Sequence, residues 1–199
     1  MSAPQLKLTY FGFPGRAELT RLALIYGGVP FEDNRITFQA FGQMKPTLPL
    51  GQVPLLEVDG SEYLQSMALA RYAARLAGLV PEDSLEILKV DMLVDTLLDA
   101  HNTTVAIGWR SVLDHSARAA RTRKFIEEDL PKTFTMLEQS VAGTFFLASL
   151  ADLYVFDFYH NILRPSFPDF RVSAFPKVES IVASVGANPS VAAYMATHP

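Results

Sequence analysis

The spacing of hydrophobic residues changes part-way along the chain, and its first part predicts alternating strands and helices. Apolar residues alternate weakly at first, then recur at helical spacing, and Gly and Pro residues mark the breaks between segments. The predicted elements are, in order, a strand at 6–10, a loop at 12–15, a helix through 19–26, a strand at 31–36, a hairpin from Leu55–Val58 to a short piece near Tyr63, and a helix at 67–76 closed by Gly78. This order indicates a mixed α/β domain.

After Pro81 the pattern predicts only helices, so we expect an all-helical second domain. Ser149 with Asp152 three residues later resembles a capping box at the start of an apolar helix. Pro176 and Pro189 are typical of the first position of two short final helices. Helical spacing is followed strictly by Leu93, Leu97, Ala100, Thr104 and Ile107, and more loosely by Phe125, Leu130, Phe134, Leu137 and Val141. The predicted domains are residues 1–80 and 81–199.

Composition narrows the class of protein. Hydrophobic residues make up 49% of the 199 positions, enough for a sizeable core. A net charge of −4 argues against a nucleic-acid partner, which requires a basic surface. No charged and apolar leader and no long apolar span are present, so we expect neither secretion nor a membrane partner. The sequence contains no cysteine, so any thiol chemistry must use a thiol carried by the ligand.

Residues 52–66 combine two features that suit a small peptide ligand. Pro54 stands at the first residue of an apolar run and favours an extended Val53, whose backbone groups can pair with a peptide. Gln65 and Ser66 then open the next helix, where unpaired N–H groups bind anions. A peptide edge beside an anion site indicates a peptide ligand with a free carboxylate.

These segments resemble the glutathione S-transferases, in particular the sigma class, which includes glutathione-dependent prostaglandin D synthases and S-crystallins. The resemblance covers nearly the whole chain, and several motifs occur in the right order and spacing. They are Lys7–Phe11, Gly15–Glu18, Thr47–Pro49, Gln52–Gly60, Gln65-Ser66, Ala68–Tyr72, Val94–Leu97 and Ser149–Asp152. The resemblance implies a thioredoxin-like first domain that binds glutathione and an all-helical second domain that carries a hydrophobic-substrate site.

The family also implies catalytic roles for two residues. The hydroxyl of Tyr10 is expected to donate a hydrogen bond to the glutathione sulfur and hold it as thiolate. Arg16 matches a family arginine near that hydroxyl. Taken alone, Tyr10 would be interpreted as a core tyrosine and Arg16 as a surface cation in the first turn of a helix.

Further family positions predict how glutathione is held. Gln65 and Ser66 match residues that bind the γ-glutamyl carboxylate, and the main chain of Val53, before Pro54, matches the partner of the cysteinyl unit. Lys45 and Gln52 match residues near the glycyl carboxylate. Phe41 departs from the pattern, since many relatives have a Trp there whose N–H helps to hold that carboxylate.

Asp99 matches a family residue that reaches the glutathione amine of the other subunit, so we expect a homodimer with shared sites. Asp91, Asp95 and Asp99 form an acidic stripe that is most simply a solvated helix face and alternatively a site for a hard divalent cation. We expect no metal requirement. The predicted substrate site for a small hydrophobic electrophile is lined by Phe11, Phe13, His101, Val105 and Trp109, each of which is equally compatible with an ordinary core.

The resulting prediction is a cytoplasmic glutathione S-transferase that joins the glutathione thiolate to small hydrophobic electrophiles in detoxification. Two alternatives stay open: a glutathione-dependent isomerase similar to prostaglandin D synthase, and a structural or interaction protein of the same fold without enzymatic activity.

Overall fold

A computed structural model describes residues 3–108, 114–141 and 148–198 of the chain. Contacts divide the chain into two compact units, the first formed by residues up to Leu79 together with those from Ala193 onward, and the second running from Val80 to Ala192. The end of the last helix therefore belongs with the first unit. None of the described helices is long and apolar enough to cross a membrane.

The first unit is a mixed α/β unit, as the sequence predicts. Two short 3-10 turns, Gly15–Ala17 and Lys45–Thr47, join its larger elements. These are β1 (Leu6–Phe11), α1 (Glu18–Tyr26), β2 (Glu32–Ile36), α2 (Phe38–Met44), β3 (Leu55–Val58), β4 (Ser61–Tyr63) and α3 (Ser66–Leu76). Helix α2 was not predicted; it begins after Thr37, whose hydroxyl accepts a hydrogen bond from the N–H of Ala40 at 3.1 Å.

The four strands form one sheet in the order β2-β1-β3-β4. Strand β1 lies inside the sheet, parallel to β2 and antiparallel to β3, and its register places Tyr10 opposite Arg35. Helices α1 and α3 pack together, and a side chain at Gly27 would collide with Ala77 at this contact. The sheet therefore fixes the end of β1, and with it the residues that follow Tyr10.

The second unit is helical, and its described residues include no strand, which confirms the prediction for this half. Buried aromatic side chains, including Phe134, Phe156 and Phe158, form much of its core. Its helices are α4 (Ser84–Ile107), α5 (His115–Lys124), α6 (Leu130–Ser140), α7 (Leu150–Asp157), α8 (Arg164–Ser166), α9 (Pro176–Gly186) and α10 (Pro189–Thr197), the last of which continues into the first unit.

Wide π-helical turns explain the loose apolar spacing in this unit. Residues Phe125–Asp129 form such a turn, in which the N–H of Leu130 donates to the carbonyl of Phe125, five residues earlier. A second turn spans Phe158–Leu163. Each turn adds a residue to the helical period, so the apolar positions around it no longer follow a spacing of three and four.

Three helices begin at the capping box and the prolines that the sequence predicts. The N–H of Ser149 donates to the Asp152 carboxylate at 2.6 Å, and the Ser149 hydroxyl accepts from the N–H of Ala151, which confirms the capping box at α7. Pro176 and Pro189 are the first residues of α9 and α10. A proline at this position loses no helical hydrogen bond, because that N–H has no partner within the helix.

Candidate functional site

The Tyr10 hydroxyl lies beside the start of a 3-10 turn, and the backbone of that turn contacts it directly. The Tyr10 side chain is 6% exposed, and its hydroxyl oxygen accepts a hydrogen bond from the backbone N–H of Arg16 at 3.1 Å. Gly15 makes this approach possible, because its φ is +60° and a Cβ there would lie 2.8 Å from the hydroxyl oxygen. A phenol that accepts one hydrogen bond is a stronger donor of its own proton.

Next to Tyr10 lies a group of aromatic rings, the phenylalanine cluster, formed by Phe11, Phe13, Phe38 and Phe41. Phe13 makes an edge contact with Tyr10 at 5.8 Å and stacks on Phe11 at 5.3 Å between ring centroids. Phe38 and Phe41 lie against Phe11 at 4.6 and 5.4 Å. The Phe38 side chain is 69% exposed. The cluster gives the neighbourhood of the Tyr10 hydroxyl an apolar, aromatic face.

Phe38 is a member of this cluster that the sequence analysis missed. It is the first residue of α2, and the exposed aromatic side chain directly follows the capping Thr37. Recognition of the Thr37 cap would have predicted α2, but Gly42 within the helix weakens the signal.

Lys45 lies beside the same cluster. Its ammonium is 5.9 Å from the centroid of the Phe41 ring, within reach of a cation–π interaction. Lys45 and Gln52 are exposed, Val53 is half-buried, and Pro54 is buried directly before β3. The peptide bond between Val53 and Pro54 is cis. Within the first unit, the structure thus places Lys45 with Phe41 and brings Pro54 to the start of β3.

The start of helix α3 carries an unusual backbone conformation. Gln65 has φ +74° and ψ 97°, a region that costs a residue with a side chain about 1–3 kcal/mol. Among the described side chains, none forms a capping hydrogen bond at this N-terminus. The first N–H groups of α3 therefore suit an anion, and the half-buried Ser66 stands at the first position.

Two arginines that the sequence analysis did not single out bind the backbone directly after Tyr10. Arg21 donates to the carbonyls of Phe11 and Phe13 at 3.0 and 3.2 Å, and Arg35 donates to the carbonyl of Gly12 at 3.3 Å. Asp33 accepts from both arginines, at 3.0 and 2.8 Å. No periodicity or motif marks these residues, because the contacts join β1, α1 and β2.

The buried carboxylate of Glu18 and the half-buried Tyr194 on α10 contact the same arginines. Glu18 accepts from Arg21 at 3.3 Å and from the Tyr194 hydroxyl, and burial raises the pKa of Glu18 although both neighbours oppose that shift. Burial and the Glu18 carboxylate together raise the pKa of Tyr194. The Tyr194 phenol is therefore held in its neutral form, able to donate to Glu18.

Comparison with known proteins identifies the family. The model for the glutathione S-transferase N-terminal domain matches residues 6–75, and the model for the C-terminal domain matches residues 101–198. A glutathione S-transferase of Anopheles gambiae is 31% identical over 98% of both chains. The chain belongs to the glutathione S-transferase family.

Solved structures agree with this assignment. A prostaglandin synthase D of Nilaparvata lugens superposes with a TM-score of 0.87 and 30% identity over 98% of this chain and 99% of that one. A sigma-class glutathione S-transferase of Fasciola hepatica gives a TM-score of 0.84 and 28% identity over 100% and 98%. The predicted resemblance and the predicted fold, a thioredoxin-like unit followed by a helical one, are thereby confirmed. The transferase is an enzyme of a family that uses glutathione as co-substrate.

In this transferase, helix α4 of the second unit carries three of the remaining predicted site residues, Asp99, His101 and Val105. Asp99 is exposed and Val105 is half-buried. Val105 lines an open cleft of about 610 Å³ with Arg118 and Phe167. Trp109 lies outside the described residues.

His101 is 4% exposed, and its Nδ1 lies 3.1 Å from the Tyr154 hydroxyl. This packing favours a role in the core for His101, and its place in the substrate site stays a prediction.

The acidic stripe on α4 is not arranged as a metal site among the described residues. Among the described residues, no group of three or more His, Asp or Glu side chains is arranged to hold a metal ion. Asp95 and Asp99 are exposed and Asp91 is half-buried, which favours a solvated helix face.

Proposed function

We propose that this transferase joins the thiolate of glutathione to small hydrophobic electrophiles. The observation that carries the proposal is the Tyr10 hydroxyl, which accepts from the Arg16 N–H and lies beside the aromatic face of the phenylalanine cluster. A donor for sulfur and an apolar surface for an electrophile are the two requirements of such a reaction, and they occur side by side.

The Tyr10 phenol supplies the activation. A free thiol with a pKa near 8.5 is only about 3% ionised at pH 7. A hydrogen bond donated to the thiolate stabilises it by roughly 1.5–3 kcal/mol, which lowers the thiol pKa by about one to two units. With a chlorinated aromatic, the thiolate attacks the carbon that bears chlorine, a carbon–sulfur bond forms, and chloride departs with the electron pair of the broken bond. With an α,β-unsaturated aldehyde, the thiolate adds to the β-carbon and the α-carbon takes up a proton from water. Activation alone is modest, so placing the electrophile against sulfur must supply much of the acceleration.

The remaining predicted residues hold the peptide. Ser66 and Gln65 bind the γ-glutamyl carboxylate at the N-terminus of α3, and the main chain of Val53 pairs with the cysteinyl unit. At the glycyl end, Lys45 and Gln52 bind the carboxylate. Phe41 supplies a ring for the Lys45 ammonium but no donor of its own. We therefore expect the glycyl end to depend on charge more than on a directed hydrogen bond.

A conjugation assay tests the proposal directly. The transferase should consume glutathione with at least one member of a panel of chlorinated aromatics, hydroperoxides and α,β-unsaturated aldehydes. Tyr10→Phe keeps the ring and removes the hydroxyl, so the rate should fall by roughly 10- to 100-fold, the loss of one charge-assisted bond. Glutathione binding should stay within a few-fold, and the pKa of the bound thiol, followed by thiolate absorbance, should rise.

An unchanged rate and an unchanged thiol pKa in Tyr10→Phe would refute the role of Tyr10. Tyr72→Phe, on helix α3 of the same unit, serves as the matched control for loss of a phenol.

A second candidate function is isomerisation, which the likeness to the prostaglandin synthase D of Nilaparvata lugens favours. In that reaction the thiolate adds to a substrate and is expelled again, so glutathione is not consumed. Conversion of a prostaglandin endoperoxide without net loss of glutathione distinguishes isomerisation from conjugation.

The proposal includes a homodimer in which Asp99 serves the partner's site. Members of the family generally dimerise, and Asp99 is an exposed carboxylate on α4. Loss of a charge-assisted bond to the glutathione amine costs roughly 1.5–3 kcal/mol, so Asp99→Asn should raise the Kd for glutathione about ten-fold or more.

Mixing an Asp99→Asn chain with a Tyr10→Phe chain gives a sharper test. If sites are shared, the isolated heterodimer has one site with both changes and one with neither, and it retains about half of the wild-type activity. Low activity in a verified heterodimer, or a monomeric wild type in sedimentation, would exclude shared sites.

The proposed function includes detoxification of electrophiles in the cytoplasm. A chain without cysteine, and so without disulfides, suits a reducing compartment. Localisation of a fluorescent fusion and the sensitivity of cells lacking the gene to electrophiles would test both points.

A further inference from the structure

The loop after β1 is held by charged side chains and not by a strand partner. Three consecutive carbonyls, those of Phe11, Gly12 and Phe13, each accept a hydrogen bond from Arg21 or Arg35. Asp33 joins the two guanidinium groups through its two carboxylate oxygens. We call Arg21, Asp33 and Arg35 the arginine clamp. It fixes the stretch of backbone between Tyr10 and Gly15.

The residues at the two ends of that stretch determine the position and the hydrogen bond of the Tyr10 hydroxyl. Tyr10, which carries the phenol, directly precedes the three clamped residues in the sequence. Arg16, whose backbone N–H donates to the phenol oxygen, follows them. Movement of the loop would therefore change the distance between the phenol and the Arg16 N–H. Arg21 also places its guanidinium carbon 5.7 Å from the centre of the Tyr10 ring.

The energetic cost of burying the Arg21 guanidinium argues that this residue has a role beyond packing. The Arg21 side chain is fully buried, and burying a guanidinium requires partners for all of its donors. Replacing such a buried charge by apolar residues of similar size is often neutral or stabilising. An apolar substitute for Arg21 could not bind the carbonyl oxygens of Phe11 and Phe13, as this guanidinium does.

Tyr194, near the end of the sequence, links the two arginines of the clamp. Its hydroxyl accepts from Arg35 at 3.1 Å and donates to Glu18, which in turn accepts from Arg21. The Arg35 guanidinium also lies 5.9 Å from the centre of the Tyr194 ring. A single phenol thus contacts one arm of the clamp directly and the other through Glu18.

We propose that the arginine clamp and Tyr194 are positioning residues for Tyr10: they hold the loop after β1 so that the phenol meets the glutathione sulfur with productive geometry. The proposal rests on the proposed function of Tyr10 and adds to it residues that touch neither glutathione nor the electrophile. Tyr194 gives the last helix a part in catalysis although it lies 184 positions after Tyr10 in the sequence.

Tyr194→Phe is the mildest test, because it keeps the ring and removes only the hydroxyl. We expect kcat to fall about 3- to 10-fold, the effect of one lost hydrogen bond, with the KM for glutathione within about two-fold. The pKa of the bound thiol should rise. Arg35→Lys keeps the charge but loses the planar fork, so kcat should fall further, by about 10-fold or more. Tyr26→Phe, on α1 of the same unit, is the matched control.

A double-mutant cycle separates positioning from a merely structural role. In a Tyr10→Phe background, Tyr194→Phe should cause no further fall in kcat, because the hydroxyl that the clamp positions is already absent. An equal fall in both backgrounds, or an unchanged thiol pKa in Tyr194→Phe, would overturn the proposal.

Failure of the two proposals is distinguishable. If Tyr10→Phe lowers the rate and Tyr194→Phe does not, only the clamp fails. If Tyr10→Phe keeps the wild-type rate, the activating role of Tyr10 fails, and the clamp fails with it.

Discussion

The loop after β1 and the core around Phe134 are stabilised by different kinds of interaction. In the first unit, guanidinium groups bind backbone carbonyls beside Tyr10. In the second unit, Phe134 packs against Phe158, Phe170 and Phe175 at centroid distances of 6.5, 5.0 and 5.3 Å. Directed bonds fix the position of particular atoms, whereas apolar packing mainly stabilises the folded state. Substitutions in the two regions should therefore affect different measurements.

The largest effect on stability should come from the apolar region. Phe134 is 1% exposed, so Phe134→Ala leaves a cavity and should lower the free energy of unfolding by about 3–5 kcal/mol. The Tm should fall by about 10 °C, measured by calorimetry. Phe38→Ala is the matched control in the first unit, because its side chain is mostly exposed and should cost no more than about 1.5 kcal/mol. Equal losses for the two variants would contradict the comparison.

The difference between the regions also explains what the sequence predicts. The helical second half follows from apolar spacing, and the Ser149–Asp152 capping box and the N1 prolines mark helix ends through contacts within one turn. The π-helical turn at Phe125–Asp129 makes the helical spacing of apolar residues less regular but does not hide it. Such features are local, so a single sequence contains them.

The contacts of the arginine clamp and of Tyr194 join residues that are far apart in the sequence. Tyr10, Arg35 and Tyr194 become neighbours only when β2 pairs with β1 and the last helix returns to the first unit. Periodicity shows that Arg21 lies on a helix, but not that its guanidinium reaches the carbonyls of Phe11 and Phe13. The site residues named from the family motifs are predicted because the motifs carry information that spacing lacks.

An intermediate effect is expected at Phe41, where the first unit can gain affinity without gaining stability. Phe41→Trp introduces a ring N–H and gives Lys45 a better cation–π partner. Glutathione binding should tighten by up to about 1.5 kcal/mol, the net worth of one hydrogen bond, measured by titration calorimetry. The Tm without ligand should not change, because Phe41 is only partly buried.

Phe41→Leu is the matched variant, since it removes the ring and adds no donor, and it should bind glutathione no more tightly than the wild type. If Phe41→Trp folds normally and binds no better, Lys45 and Gln52 alone hold the glycyl carboxylate.

The smallest expected effect is a pH dependence of stability in the second unit. Burial, and then the nearby Arg164 charge, lower the pKa of His160 below its ordinary value of 6.5. The unfolded chain therefore binds a proton more readily at this position than the folded one. The corresponding stability is complete above pH 6.5 and is lost as the pH falls through the folded pKa. His160→Gln should remove this part of the acid sensitivity.

The measurement is the difference in Tm between pH 7.5 and pH 5.5 for each variant. His160→Gln should show a smaller difference than the wild type, by less than the roughly 2–4 °C that 1 kcal/mol produces in a protein of this size. His115→Gln, at an exposed position on α5, controls for the removal of a histidine. Because His160 packs on Phe156 at 4.5 Å, its replacement also costs some stability at every pH, so only the difference between the two pH values is informative. An identical difference in wild type and His160→Gln would show that protonation of His160 does not couple to folding.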